Sequence, residues 1–235
     1  VLIFSGNNQR AVIAFCRYAA QEYIPFEIVA NGEDDTIFQS SYSNRVIAIR
    51  EKNRVNLSEL VGYCELAKEK SQVNEILILP STEYLNRFLL NHKNELESKG
   101  IQIGLCDESI YSLVSNKLSF SKLCQSFSIP VPQEFKSIPK SYPFVIKPKE
   151  YGNGLTKVHE KPILVFSKGD FENLERIENI SDYYFQEYID GASYYLLYHF
   201  SKSGETLAYS QENLIQQDEG ASMILARSST IHKEE

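Results

Sequence analysis

Lys147 stands in FVIKP at the end of an apolar run, and Pro148 fixes the backbone directly after it. An ammonium held there can neutralise a phosphate as a point charge, and a partly dry setting strengthens that attraction above its value in water. A lysine that blunts a sheet edge against solvent would leave the same trace in the sequence. Shortly after it, YGNGL sets Gly152 and Gly154 on either side of Asn153. Backbone N–H groups in such a loop can converge on an anion with no side chain in the way. Asn-Gly between two β-type runs is equally a hairpin signal. The two readings are compatible, since a glycine hairpin can fold over a bound triphosphate.

In FQEYIDG, alternation sends Gln186 and Tyr188 to one face and Glu187 and Ile189 to the other, before Gly191 turns the chain. An extended segment of this kind can read adenine with a backbone carbonyl and a backbone N–H, while nearby carboxylates take ribose hydroxyls. A half-exposed strand running into a turn accounts for the same residues without a ligand. Lys117 falls in the first turn of a predicted helix, where a cation opposes the helix dipole. An anionic partner would resolve that misfit, and so would full exposure to solvent.

Other chemistries find little support. His92, His159, His199 and His232 are scattered, and none pairs with cysteine or acidic residues at zinc-like spacing. The chain contains neither the GxSxG elbow of a serine hydrolase nor the GxxxxGK[ST] loop of a P-loop NTPase. No residue is assigned as catalytic and none as a metal ligand.

The elements that must position these residues follow from pattern. With 235 residues, 43% hydrophobic and 23% charged, the chain has material for two compact units or one large one. A formal net charge of -7 with no basic stripe argues against a nucleic-acid partner, though a few placed lysines suffice for a single small phosphate ligand. Cys16, Cys64, Cys106 and Cys124 share no CxxC spacing and lie in apolar or helical contexts. All four are expected to pack as reduced thiols, which places the protein in the cytoplasm. No apolar stretch is long enough to span a membrane, and the sequons at Asn56 and Asn179 are then chance matches. Val1 in place of methionine and the uncapped SSTIHKEE read as the ends of a cut chain.

Over the first half, β-type runs at 1–4, 26–30, 45–49, 75–79 and 101–105 alternate with helical periods at 9–22, 56–70 and 82–99. Their unbroken apolar character predicts parallel strands covered on both faces, an α/β Rossmann-like unit. Ser81 is the expected N-cap of the third helix and Gly100 its C-terminal stop. The loops after Phe4 and Leu79 lie where such sheets bind ligands. SGNNQR, however, has one glycine where a dinucleotide fingerprint needs three, leaving a plain turn or an anion site at a helix start. From Ser115, SNKLSFSKLCQSF predicts a helix capped by that serine with Phe120, Cys124 and Phe127 on one stripe. Pro130 and Pro132 then enforce an extended linker. Strands at YPFVIKPK, LTKVHE and DYYFQEYI, a helix at KGDFENLERIEN, and a further antiparallel pair in SYYLLYHF and TLAYSQENLI complete the expectation.

The order SNKLSF, IPVP, YPFVIKP, glycine loop and FQEYIDG resembles the ATP-grasp superfamily, in its carbamoyl-phosphate synthase-like and carboxylate-amine ligase branches. The resemblance covers essentially the whole chain. It implies a pre-ATP-grasp domain at 1–110, a connecting helix and linker at 111–142, a lid at 143–189, and at 190–235 an incomplete start of the C-terminal antiparallel subdomain. It further implies that Lys117 and Lys147 contact ATP phosphates, that Gly152, Asn153 and Gly154 form the lid's phosphate loop, and that Glu187, Tyr188 and Ile189 are the adenine hinge with Gln186 beside it. ATP and Mg2+ would phosphorylate a carboxylate, and a nitrogen nucleophile would then attack the acyl phosphate. Small-molecule carboxylate and amine substrates are the implied partners. Two departures stand out. Ser193 occupies a position where the family often has a ribose-binding acid, with Asp190 as a substitute, and the family's magnesium ligands come later than any segment present. The chain alone is therefore expected not to turn over, and a nucleotide-binding module without catalysis is the alternative.

Overall fold

The computed structural model describes residues 1–6, 8–52, 54–149, 162–172, 174, 177, 179–201, 203–217 and 223–233, and the chain divides into two compact units, Val1–Leu113 and Val114–Glu235. The first unit runs β1 (Leu2–Phe4), α1 (Gln9–Gln21), β2 (Glu27–Asn31), β3 (Val46–Arg50), α2 (Leu57–Ser71), β4 (Ile76–Leu79), α3 (Glu83–Asn91), α4 (Lys93–Ser98) and β5 (Ile101–Ile103). The strands form one parallel sheet in the order β3-β2-β1-β4-β5.

Unbroken apolar runs are needed in β1 and β2, whose two faces are both buried, whereas Ile49 of β3 and Leu77 of β4 are exposed on one face. Leu2, Phe4 and Val29 face a core shared with Leu60 and Cys64 of α2, Leu85 and Leu89 of α3 and Leu96 of α4. Ile3, Ile28 and Ala30, the alternate residues, face Val12, Cys16 and Ala19 of α1. The chain reverses direction across the sheet between β1 and β4, so the loops after Phe4 and Leu79 flank the switch point.

Two boundaries differ from expectation. The helix predicted over 82–99 is interrupted at His92, giving α3 and α4. Its N-cap is Thr82 rather than Ser81, because Thr82 has the extended backbone of a cap and its hydroxyl accepts from the Leu85 N–H at 3.2 Å. Gly100 does stop α4: its φ is +71°, and its N–H donates to the Glu97 carbonyl at 3.0 Å. A Cβ there would sit 2.7 Å from the Asn74 carbonyl oxygen. Gly100→Ala is therefore expected to lower stability by about 1–3 kcal/mol, read as an earlier midpoint in a urea titration. An unchanged midpoint would show that the left-handed turn is not required.

Cys16, Cys64 and Cys124 are buried as expected, and burial pushes the Cys16 thiol up to about 11 and the Cys64 thiol up to about 12. Cys106 is instead exposed. It lies beyond the end of β5 and before α5 (Glu108–Ser115), in a segment with no sheet partner to cover it.

The second unit contains α6 (Lys117–Ser126), β6 (Glu134–Phe135), β7 (Phe144–Pro148), β8 (Ile163–Val165), α7 (Lys168–Glu172), β9 (Tyr183–Glu187), β10 (Ser193–Phe200), β11 (Thr206–Gln216) and β12 (Met223–Ser229). The cap of α6 is Asn116, whose Oδ1 accepts from the Ser119 N–H at 2.9 Å, because Ser115 is already the last residue of α5. The expected apolar stripe is corrected too: Cys124 is buried, but Phe120 and Phe127 are exposed, and Ser121 shares the buried side with Cys124. Strands β6, β9, β7 and β8 form an antiparallel sheet in that order. Phe144, Ile146, Val165, Tyr183 and Phe185 build its core on one face. The strand beside β7 is Ile163–Val165, whereas LTKVHE lies outside the described residues. Strands β10, β11 and β12 form a separate antiparallel sheet, its first hairpin closed by Gly204 at φ +88°.

Candidate functional site

Lys147 reaches its place through register. β7 and β9 pair so that Lys147 lies opposite Tyr184 and Val145 opposite Gln186. Since Phe144 and Ile146 point into the core, Lys147 projects from the other face, diagonally adjacent to Gln186. Its ammonium donates to Gln186 Oε1. Gln186 is itself buried, and its amide nitrogen donates to the Pro132 carbonyl at 3.4 Å.

Burial, together with the neighbouring charge of Lys117, pushes Lys147 below the ordinary lysine range, while Glu134 pulls the other way. Lys117 is the first residue of α6, so this helix start is directed to the same electrostatic neighbourhood as the end of β7. Asn116 ties the two segments through a 3.4 Å bond from its amide to the Lys149 carbonyl. Glu134 accepts from the Ser121 hydroxyl at 2.7 Å and pairs with Gln186 across β6 and β9. Burial and the neighbouring Lys117 both disfavour the charge on Lys147, and an anion beside its ammonium would relieve that cost.

Three of the sequence-predicted residues, Lys117, Lys147 and Gln186, are thus brought together. Glu187 is not beside them: it ends β9 on the alternate side, where its carboxylate accepts from the Gln133 N–H at 3.2 Å. Its own N–H donates to the Gln133 carbonyl at 2.8 Å. Tyr188 and Ile189 follow without regular pairing, the Tyr188 ring set edge-on to Phe166 with centroids 5.3 Å apart and Ile189 exposed. Gly152, Asn153 and Gly154 lie outside the described residues. Ser193 opens β10 and accepts from the Asn213 amide at 3.0 Å. Among the described residues no group of three or more His, Cys, Asp or Glu side chains is placed to hold a metal ion.

Sequence reasoning missed Glu134, Ser121 and Asn116. The signal for Glu134 was present in PVPQEF: a carboxylate directly after a proline-stiffened linker, in a segment too short to register as a strand.

Solved structures share this fold. A biotin carboxylase–β,γ-ATP complex from Campylobacter jejuni aligns with 98% of this chain and 54% of its own, at a TM-score of 0.63 and 16% identity. The biotin carboxylase domain of 2-oxoglutarate carboxylase from Hydrogenobacter thermophilus, solved with MgADP, ADP and bicarbonate, aligns with 92% of this chain and 50% of its own, at a TM-score of 0.58 and 16% identity. This chain has the ATP-grasp fold. N5-carboxyaminoimidazole synthase from Aspergillus clavatus, in complex with ADP and 5-aminoimidazole ribonucleotide, shares the fold at a TM-score of 0.54 and 14% identity, over 92% of this chain and 54% of that one. The chain spans about half the length of these ATP-grasp structures. No protein-family model and no curated protein matches its sequence. Among the described residues no helix is long and apolar enough to cross a membrane.

Proposed function

We propose that this chain binds ATP in its second unit, with Lys147 and Lys117 on the phosphates and the segment from Glu187 to Ile189 along adenine, as the nucleotide-holding part of a carboxylate-activating ligase. The observation that carries the reading is the pair of lysines held in electrostatic contact beside buried Gln186, on an ATP-grasp sheet. The extended residues after β9 offer backbone groups not used by the strand ladder, the kind of edge that reads adenine. Gly152, Asn153 and Gly154 would supply the loop over the phosphates.

In the reaction this implies, a carboxylate oxygen attacks the γ-phosphorus of ATP and ADP leaves; an amine nitrogen then attacks the carbonyl carbon of the acyl phosphate, the C–O bond to phosphate breaks, and the nitrogen gives up a proton to leave an amide and inorganic phosphate. The protein's part in such a transfer is to position the reactants and neutralise charge, which two lysines do without any covalent intermediate on the chain. Magnesium would supply further charge neutralisation in such chemistry, and among the described residues no group of three or more His, Cys, Asp or Glu side chains is placed to hold it. The carbamoyl-phosphate synthase-like branch and a cytoplasmic location belong to the same proposal, the second supported by the free cysteines.

The test is calorimetric titration of the protein with ATP, ADP and GTP. Micromolar binding of ATP and ADP with weaker GTP is expected, because the hinge reads the adenine edge. No heat with any of the three, from folded protein, would sink the nucleotide reading.

A further inference from the structure

The face of the β6-β9-β7-β8 sheet opposite its aromatic core is also covered. Phe135 and Phe185 pair toward that core, so Glu134 and Gln186, paired with each other one residue earlier and later, stand on the other face with Val145 and Lys147. Val145, Tyr184 and Gln186 are buried there. Helix α6 lies against this face. Its buried residues are Ser121 and Cys124, and the Ser121 hydroxyl donates to Glu134 Oε1 at 2.7 Å.

Two bonds fix where α6 lies. At its cap the Asn116 amide donates to the Lys149 carbonyl at 3.4 Å, just past the end of β7, and little more than a turn further on Ser121 is bonded to β6. Strand β9 runs between β6 and β7, so the start of α6 spans it. Lys117 lies between the two bonds, four residues before Ser121 and therefore on the same side of the helix, about 6 Å along its axis. Where its ammonium sits relative to Lys147 is thus set by what Ser121 holds. A hydroxyl bonded to a carboxylate holds harder than one bonded to a neutral acceptor.

The same carboxylate acts on charge. The charged and titratable groups around the Lys147 ammonium are Lys117 from α6, Glu134 from β6, Tyr184 opposite it on β9 and, further along its own strand, Lys149, whose ammonium donates to the Ser181 carbonyl at 2.7 Å. Strand β8 carries no titratable side chain. Glu134 favours the charged form of Lys147, opposing burial and Lys117.

We propose that Glu134, through Ser121, is a positioning residue of the phosphate site: it seats α6 so that Lys117 and Lys147 meet the ATP phosphates together, and its carboxylate offsets part of their repulsion before nucleotide arrives. The inference rests on the ATP reading, but the seating is a property of the free protein.

Two measurements separate the parts. In the nucleotide-free protein the Lys147 amine is titrated through its 13Cε signal, assigned with Lys147→Arg. Glu134→Gln keeps an acceptor for Ser121 and removes the charge, so Lys147 should titrate at lower pH than in the parent. Ser121→Ala releases α6 and lets Lys117 recede, so Lys147 should titrate at higher pH. Opposite shifts support the proposal, and an unmoved Lys147 in either variant overturns it. Should Ser121→Ala not fold, the Glu134→Gln shift alone decides. Calorimetric titration with ATP then follows the parent, Ser121→Ala, Lys117→Ala and the double variant. Ser121→Ala is expected to weaken ATP binding about three- to tenfold in the parent but less than about twofold once Lys117 is alanine, because the hydroxyl acts through that lysine. An equal factor in both backgrounds would mark a purely structural role and overturn the proposal. No ATP binding by the parent would overturn the nucleotide reading and with it the phosphate role, while the Lys147 titration still decides the seating.

Discussion

Lys147→Ala is expected to weaken ATP binding by about tenfold or more, the worth of about 1.5–3 kcal/mol for a charge-assisted contact in a partly dry site. The argument rests on what the folded protein already tolerates. Lys147 is partly buried and sits near a second ammonium, both of which disfavour its charge. A bound phosphate reverses that penalty, so the contact should be worth more than an exposed lysine–phosphate pair. The truncation also strands Gln186 Oε1, which has Lys147 as its donor. A thermal melt of the variant therefore accompanies the titration, and weaker binding with an intact transition assigns the loss to charge.

The depressed pKa gives a second readout. Phosphate binds the protonated amine, so affinity should be flat at neutral pH and fall as pH rises through the lowered pKa, earlier than an ordinary lysine would allow. Lys147→Arg stays charged throughout and should lose that alkaline decline. In the absence of nucleotide the sign reverses. Between the lowered folded pKa and the ordinary unfolded one, the unfolded chain binds more protons, so this group makes the folded state more stable as pH rises through that window. An alkaline decline in affinity that persists in Lys147→Arg would remove Lys147 from the phosphate site.

The parallel sheet was legible because its central strands β1 and β2 are buried on both faces, and an apolar run such as VLIF or FEIVA has few other uses. Helix ends were less so. Ser81 and Thr82 are both good caps in isolation, and which one caps depends on where the backbone leaves its extended conformation, which β4 and its loop decide. The same holds for Ser115 and Asn116, where an unanticipated helix, α5, takes the serine. At the candidate site, Lys147 and Gln186 were readable as a lysine ending a strand and a glutamine in another, but their meeting is a matter of register between β7 and β9. Glu134 was hidden because β6 has two residues, below the length at which periodicity speaks.

Phe144→Ala should cost about 3–5 kcal/mol and abolish ATP binding by a different route. Phe144 is 1% exposed and is among the largest fully buried side chains. Its ring lies 5.6 Å from that of Tyr142, 6.0 Å from Phe171 and 6.1 Å from Phe185, so one truncation removes the contacts joining β7, α7 and β9. Among the described residues five buried side chains make up this core, with Phe135, Ile163, Phe171, Leu174 and Ile177 packed against them. The pairing of Phe144 with Glu187 and of Lys147 with Tyr184 belongs to the same ladder, and losing it unseats Lys147 from Gln186. The cores of the first unit share no residue with this cluster. Hydrogen exchange should therefore show protection lost in β7 and β9 while β1, β2 and β4 keep theirs. Lys147→Ala, by contrast, should weaken binding with both patterns near the parent's. Parent-like protection of β7 and β9 in Phe144→Ala would mean that the ladder does not depend on this core, and that Lys147 is held by its own hydrogen bond to Gln186 rather than by the packing beneath it.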